Sequence, residues 1–227
     1  SRFDFASRLS KIFTDEIKMV AGVNYMMNQT HYFKVIDDLL GADWWLDVDQ
    51  FAERDFNDDN YIQSDLDNPN QVKKEGDLFG YNYLANIHKA DAFAEAEFKY
   101  SKVEFFTALK LSYTEYWRDG KMRNGKFPDG SFGASDHQRF FNYAVKAGVN
   151  YKITGRNFLL ANVAFLTRAP YFRNAYVSPR TRDNVVPNLK SETIFSGDLS
   201  YFYRSPNFQL KITGYYTEFR NGTEGTI

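Results

Sequence analysis

The sequence predicts an all-β fold built from antiparallel strands. Apolar and polar residues alternate with a period of two in at least seven places, and helical amphipathic spacing is hard to sustain outside the first long connection. The connections between these segments alternate strictly between short and long. A length of 227 residues is compatible with one large all-β domain, so we expect a single domain.

The alternating segments define eight strands and seven connections. The strands are predicted at 2–11, 16–32, 88–100, 103–117, 140–152, 157–168, 190–203 and 208–219. The short turns fall at 14–15, 101–102, 154–156 and 204–207, and the long loops cover about 34–87, 118–139 and 169–189. Short turns at one end and long loops at the other are typical of an outer-membrane barrel, whose long loops are extracellular.

The segment AFAEAEFKYSKVEFFTALKLSY predicts a hairpin with two different faces. Its two-residue turn, Ser101–Lys102, would bring Phe98 opposite Phe105 on an apolar face. On the other face Lys99 would lie opposite Glu104, which is a favourable cross-strand charge pair. The predicted register and the alternation therefore support each other.

The composition of the apolar rows favours lipid as their environment. In the strand 140–152 the apolar row has aromatic rings at its ends and small aliphatic residues between, which matches a lipid-facing band capped by interfacial aromatics. Aromatic residues make up 18% of the chain, yet its mean hydropathy is −0.54. The opposite face carries too much charge for a sandwich core. We therefore predict an antiparallel transmembrane β-barrel.

Several other classes of protein are excluded by composition. A net charge of −1 without a long basic run argues against a nucleic-acid partner. No apolar stretch reaches the roughly 18 residues of a spanning helix, and the absence of cysteine leaves no disulfide or thiolate metal site. His31, His88 and His137 lie far apart without a triad or metal spacing, so no catalytic residues and no enzyme are predicted.

Two stretches near the end of the chain carry a resemblance to a known family. The chain reads Arg168-Ala169-Pro170 after one strand, then Pro187-Asn188-Leu189-Lys190 and Glu192 before the next. This order resembles the barrel domain of TonB-dependent outer-membrane receptors. Upstream, AERDFNDDN and GDLFGYNY look like an extracellular loop of the Bacteroidota receptors that bear a carboxypeptidase-regulatory-like N-terminal domain.

The resemblance implies a 22-stranded barrel, of which this chain supplies about eight strands. It implies uptake of a scarce nutrient (a siderophore, metal complex, vitamin, glycan or peptide) across the outer membrane of a Gram-negative bacterium. The implied partners are outer-membrane lipid, the ligand and the TonB complex, while a surface lipoprotein is allowed but not required. The chain starts within a strand-like pattern and ends at NGTEGTI, so we expect an internal segment without plug or barrel C-terminus.

Rings and charges in the long loops are the candidate ligand-binding residues. They are Trp44, Trp45, Tyr81, Tyr83, Arg173 and Arg180. The segment 36–77 holds thirteen acidic residues among exposed rings, which suits a sugar, a cationic ligand or a partner surface, whereas the third loop is basic and suits an anion. Alternatively, the rings pack the first loop onto itself and the acids keep it soluble.

One acidic stretch has the spacing of a calcium loop. In DFNDDNYIQSD the side chains of Asp55, Asn57 and Asp59 alternate, and oxygen ligands at that spacing can wrap a calcium ion. The twelfth position is Leu66 where such loops carry Glu, and Asx-rich loops commonly make turns. Calcium is the one candidate metal, and no other cofactor is predicted.

Two other functional classes fit parts of the pattern. A closed eight-stranded barrel with a structural or adhesive role would fill its narrow interior with residues such as Asn142 and Glu95, and its edge strands would pair. A soluble β-sandwich carbohydrate-binding module would bury the apolar row of 92–113 against a second sheet. Its sugar platforms would be Trp44 and Trp45.

Overall fold

The computed structural model describes residues 1–56 and 58–223. Its strands are β1 (Arg2–Ile12), β2 (Ile17–Val35), β3 (Trp45–Leu46), β4 (Val72–Lys73), β5 (Leu78–Lys99), β6 (Val103–Gly120), β7 (Gly133–Ala134), β8 (Gln138–Lys152), β9 (Asn157–Arg168), β10 (Glu192–Arg204) and β11 (Gln209–Arg220). Its helices are α1 (Gln50–Asp55), α2 (Pro128–Ser131) and α3 (Phe172–Ala175). None of these helices is long and apolar enough to cross a membrane.

The eight long strands form one antiparallel sheet. Their order is β1-β2-β5-β6-β8-β9-β10-β11, so each long strand lies beside its neighbour in the sequence. The short strand β7 pairs with the end of β6, and β3 pairs with β4 as a separate two-stranded sheet. Across residues 1–56 and 58–223, β1 and β11 remain the two edges of an open sheet. The prediction of a closed eight-stranded barrel is therefore wrong for the described chain.

The register of the central hairpin is confirmed. Phe98 lies opposite Phe105, and their rings stack with centroids 4.5 Å apart. Lys99 also lies opposite Glu104, but the carboxylate of Glu104 binds Nζ of Lys152 at 2.5 Å instead. Strand β8 brings this second lysine onto the same face, where it outcompetes the cross-strand partner predicted from the hairpin alone.

The eight predicted strands are present, and the largest difference between prediction and structure is at the start of β5. The sequence predicts a first loop at 34–87, whereas β2 continues to Val35 and β5 already begins at Leu78. Tyr81 and Tyr83 therefore belong to a strand and not to a loop. We call the three long connections loop 1 (36–77), loop 2 (121–137) and loop 3 (169–191). Because the strands are antiparallel, all three loops lie at one end of the sheet.

The early part of β5 escapes the sequence pattern because ring-bearing and polar residues exchange faces there. Further along β5 one face carries charged residues such as Asp91 and Glu95, but at the loop end the same face carries Tyr81 and Tyr83. The opposite face, apolar elsewhere, carries Asn82 and Asn86 at this end. A register shift in β2 directly after Phe33 also interrupts the pairing. Simple alternation is therefore lost at the loop end of both strands.

The apolar face of the sheet has no second layer over it in the described residues. Its large hydrophobic side chains are exposed, among them Phe5, Val23, Phe105, Leu109, Val145, Val163, Phe195, Leu199 and Ile212. Leu109 is 46% exposed and Val145 44% exposed in the middle of their strands. The predicted β-sandwich, which needs this row to be buried, is therefore wrong. A contiguous apolar surface of this extent requires an apolar environment or a partner surface.

Candidate ligand-binding site

Loop 3 folds over the polar face of the sheet at its loop end. The chain turns at Pro170 and forms the single-turn helix α3, which places Phe172, Ala175 and Tyr176 on one side because residues three and four apart share a helical face. All three are buried against Tyr83 and Tyr116 of the sheet. The rings of Tyr116 and Phe172 meet edge to face, with centroids 5.8 Å apart. Loop 3 is thus anchored by an aromatic core.

Arg118 links the sheet to both neighbouring loops. Its side chain is almost fully buried, at 2% exposure, beside the ring of Tyr83, with the guanidinium carbon 5.3 Å from the ring centroid. Nη1–H donates to the carbonyl oxygen of Ser131 in loop 2, and Nε–H donates to that of Pro179 in loop 3, both at 2.7 Å. The planar fork of donors on arginine suits such a bridge.

The hydroxyl of Tyr176 completes the same junction. It lies 3.1 Å from Oγ of Ser135, and that oxygen also accepts the backbone N–H of Arg118 at 3.0 Å. Burial raises the pKa of Tyr176 above its usual value, and the hydrogen bond with Ser135 only partly opposes this. The hydroxyl therefore stays protonated, and the junction between loop 2 and loop 3 keeps a neutral hydrogen bond at physiological pH.

Two backbone hydrogen bonds join loop 2 to loop 1. The N–H of Leu66 donates to the carbonyl of Arg123 at 2.7 Å, and the N–H of Gly125 donates to that of Gln63 at 2.9 Å. A Cβ added at Gly125 would lie 2.1 Å from the carbonyl oxygen of Asn60, so only glycine fits. The contact is too close for any side chain at this position.

A second glycine of loop 2 contacts loop 3, through one backbone hydrogen bond and the side chain of Asp183. The carbonyl of Gly130 accepts the N–H of Asp183 at 2.7 Å, and a Cβ at Gly130 would lie 2.5 Å from Oδ1 of Asp183. Loop 2 is therefore wedged between loop 1 and loop 3. The three loops together form one cap, which we call the loop cap, with Arg118 at its base.

An ion pair adds an electrostatic contact between loop 1 and loop 2. Nζ of Lys126 lies 2.8 Å from Oδ2 of Asp49. The other carboxylate oxygen of Asp49, Oδ1, caps helix α1 by accepting the N–H groups of Phe51 and Ala52 at 3.1 Å. Burial alone would raise the pKa of Asp49, but the bonds from Lys126 and the two N–H groups outweigh it, so the pKa is lowered. The carboxylate is thus held ionised.

Beneath loop 3, the polar face lines a partly open cavity of about 720 Å³. Residues 169–172 form its roof, and side chains of β2, β5, β6, β8 and β9 form its walls. Its charged wall residues include Lys89, Glu95, Lys110 and Lys146. Asn142 is 2% exposed there, and its Oδ1 has no hydrogen-bond partner within the described chain. A cavity with these donors and acceptors suits a polar or charged guest.

The structure brings four of the six predicted ligand residues into one row at the rim of this face. The row runs from Trp45 past Phe79 to Tyr81 and Tyr83, with ring centroids 6.3 Å apart for the first pair and 6.1 Å apart for the last. Arg180 of loop 3 lies over the ring of Tyr81 at 5.4 Å. Between these two aromatic pairs, Nζ of Lys34 lies near both the Phe79 ring and the Tyr81 ring, at 5.4 and 5.6 Å from their centroids.

The other two predicted ligand residues lie outside the row. Trp44 is 53% exposed, and Arg173 is exposed on the outer side of α3. Lys34 and Arg118 belong to the region but were missed from the sequence. Both were predicted to lie in loops, but Arg118 directly follows the predicted strand 103–117, and one more step of its alternation would have placed it on the polar face. Lys34 lies beyond the register shift after Phe33, which alternation does not report.

The predicted calcium ligands are only partly visible. Asp55 is engaged by Arg54, with Nε 2.6 Å from Oδ1, and this hydrogen bond lowers the pKa of Asp55. Asn57 lies outside the described residues. Nearby, Asp58 accepts the N–H of Asn60 at 2.9 Å, as an Asx turn does. Among residues 1–56 and 58–223, no group of three or more His, Cys, Asp or Glu side chains is placed to hold a metal, so calcium stays a prediction.

Comparisons with known proteins agree with this architecture. The chain is similar to the solved structure of the copper transporter OprC, with a TM-score of 0.65 and 14% sequence identity. That similarity covers 97% of this chain but only 30% of the OprC chain, and at this identity it shows the fold alone. No curated protein matches the sequence. A family model described as "TonB dependent receptor-like, beta-barrel" matches residues 4–224, and the chain therefore belongs to this family of TonB-dependent receptor β-barrels.

Proposed function

We propose that the protein carrying this chain is an outer-membrane receptor of a Gram-negative bacterium that imports a scarce nutrient by TonB-energised transport. The observation that carries the proposal is the family match across residues 4–224. The sheet supports it, because its apolar face is uncovered over the described residues, while loop 3 packs on the polar face at the loop end. A transmembrane barrel uses these two faces for lipid and for lumen.

In the proposed orientation, the loop cap is extracellular and the polar face lines the lumen. The nutrient would bind first to the cap and to the rim row of Trp45, Tyr81 and Tyr83. It would then pass the cavity beneath loop 3 as the plug domain is displaced. Binding and displacement need no covalent chemistry, and we infer a receptor without enzymatic activity. The TonB complex and outer-membrane lipid are the partners required by this scheme, and a surface lipoprotein is optional.

The nutrient itself is a siderophore, metal complex, vitamin, glycan or peptide. The name of OprC assigns copper to that protein, and identity of 14% does not carry a substrate across. The stretches AERDFNDDN and GDLFGYNY support a receptor of the Bacteroidota type with a carboxypeptidase-regulatory-like domain. Selectivity then depends on the loop cap, which holds most of the irregular sequence.

Fractionation of cells that express the intact protein tests the proposal. We expect the protein in the outer-membrane fraction, soluble only with detergent, and heavier than the 227 residues of this chain. A deletion strain should lose uptake of one scarce nutrient, and collapse of the proton-motive force should stop uptake while surface binding persists. Recovery of the intact protein in a detergent-free soluble fraction would contradict the proposal.

A further inference from the structure

Two cations from separate elements converge on one tyrosine at the rim of the polar face. Nζ of Lys34, in β2, lies 5.6 Å from the ring centroid of Tyr81. The guanidinium carbon of Arg180, in loop 3, lies 5.4 Å from the same centroid. The two residues are far apart in sequence, so the fold alone brings their charges together around a single ring.

The backbone of Arg180 is fixed by the junction already described. Its neighbour Pro179 accepts the hydrogen bond from Nε of Arg118 at 2.7 Å. Arg180 itself lies inside a turn, because the N–H groups of Thr181 and Arg182 both donate to the carbonyl of Ser178 at 3.0 Å. Arg180 therefore projects from a turn that is hydrogen-bonded to the sheet through Pro179.

Lys34 is positioned by an irregularity in the sheet. The register of β2 against β5 shifts between Phe33 and Lys34. Opposite this point Gly80 adopts a positive φ of 73°, and its N–H donates to Oδ1 of Asp47 at 2.9 Å. Nζ of Lys34 also lies 5.4 Å from the ring centroid of Phe79. The bulge thus directs the lysine along the aromatic row.

The charge of this pair is not neutralised by ion pairs among the described residues. No carboxylate of residues 1–56 or 58–223 forms an ion pair with Lys34 or Arg180, and both side chains are exposed. Loop 3 as a whole carries Arg173, Arg180, Arg182 and Lys190 against the single acid Asp183. Cation–π contact orients an ammonium or guanidinium group but leaves N–H donors available for oxygen acceptors.

We propose that Lys34 and Arg180, each in cation–π contact with the ring of Tyr81, form a subsite for an anionic group of the ligand. A carboxylate, phosphate or sulfate seated beside this ring would accept charge-assisted hydrogen bonds from the two cations. The inference rests on the proposed function, since it assigns a ligand class to the face by which the nutrient enters. The cavity beneath loop 3 is also lined by more lysines than acids, with Lys89, Lys110 and Lys146 against Glu95.

Binding of inorganic pyrophosphate to the purified intact receptor in detergent tests this subsite. Calorimetry at low ionic strength should detect saturable binding that weakens as salt is raised. Lys34→Gln and Arg180→Gln should each weaken binding about tenfold, as expected when one charge-assisted contact is lost. Arg173→Gln is the matched control, because it removes an equal charge from the same loop outside the pair, and it should leave the affinity unchanged.

The variants also separate this inference from loss of folding. Lys34→Arg keeps the charge and should retain binding to within about threefold, and every variant should keep the heat-modifiable migration of a folded barrel. Equal weakening by Arg173→Gln, or no binding by the wild type, would overturn the subsite. Uptake of a neutral nutrient without anion binding would contradict the subsite alone, whereas absence from the outer membrane would contradict the proposed function.

Discussion

Nε of Arg118 in the sheet and the carbonyl oxygen of Pro179 in loop 3 are 2.7 Å apart, although 61 residues separate them in sequence. The same guanidinium reaches loop 2 at Ser131. One side chain therefore connects the rigid part of the chain to two of its three long loops. Because this group is buried, its removal would leave two carbonyl oxygens without donors in a site that water reaches poorly.

The substitution Arg118→Met should loosen loop 2 and loop 3 together. It keeps a long apolar stem but removes every donor, and each buried carbonyl left unpaired costs about 1–3 kcal/mol. Hydrogen exchange of the intact receptor should rise in residues 128–135 and 176–183. Arg139→Met, at an exposed arginine on the opposite face, is the control and should leave both regions unchanged. Exchange that rises in one loop only would contradict a shared anchor.

The substitution Gly125→Ala should separate loop 1 from loop 2. The added methyl would lie 2.1 Å from the carbonyl of Asn60, so one backbone must move and the hydrogen bond from Gly125 to Gln63 should break. We expect faster proteolytic cleavage in loop 1. Gly155→Ala is the control, because a Cβ at this turn would have no atom within 4 Å, and it should leave the cleavage rate in loop 1 unchanged. Equal cleavage rates for all three proteins would show that the wedge does not hold loop 1.

Acid should weaken the contact of α1 with loop 2. The folded-state pKa of Asp49 is lowered, so its stabilising effect is complete above the unfolded value of about 3.9 and is lost as pH falls through the folded pKa. Hydrogen-exchange protection of Ala52, corrected for the intrinsic rate, should fall in that acidic window. In Asp49→Asn, which keeps a capping oxygen but no charge, protection should be lower at neutral pH and should not change with acid.

Neighbouring substitutions in the middle of β8 should differ sharply in cost. Val145→Lys places a charge on the uncovered apolar face, where a lysine at the bilayer midplane costs about 2–4 kcal/mol. Ala144→Lys places the same charge on the polar face, beside the cavity, and should be tolerated. The folded fraction of the intact protein in lipid, read by heat-modifiable electrophoresis, measures the difference. Similar losses for both variants would contradict the assignment of the two faces.

The strands could be predicted from the sequence because each one repeats the same two-sided environment. The pairing of Phe98 with Phe105 followed from a two-residue turn and the alternation around it, and both are local signals. The start of β5 could not be predicted, since loop 3 covers the polar face there and rings replace charges. A residue pattern cannot report a covering segment that lies far away in sequence.

The candidate site was predictable only in part, for the same reason. Tyr81, Tyr83 and Arg180 were recognised as ring-bearing or charged residues near loops, and the structure places them together. Lys34 lies near them because the register of β2 shifts after Phe33. Arg118 is linked to this region by hydrogen bonds to two carbonyl oxygens that are distant in sequence. Neither relationship has a sequence signature. Arg173, which has the same chemistry as Arg180, faces away because α3 uses its other side for packing.

The position of loop 2 between its neighbours limits how loops can be exchanged between this chain and its relatives. A graft that exchanges loop 1 alone would have to reproduce the close backbone approach of Asn60 to Gly125, and a graft of loop 3 alone would have to keep the hydrogen bond from Asp183 to the carbonyl of Gly130. A chimera should therefore accept foreign recognition loops only when all three are transplanted as one cassette, with Arg118 retained beneath them. In recombination between related receptors, this cap would be inherited as a single unit.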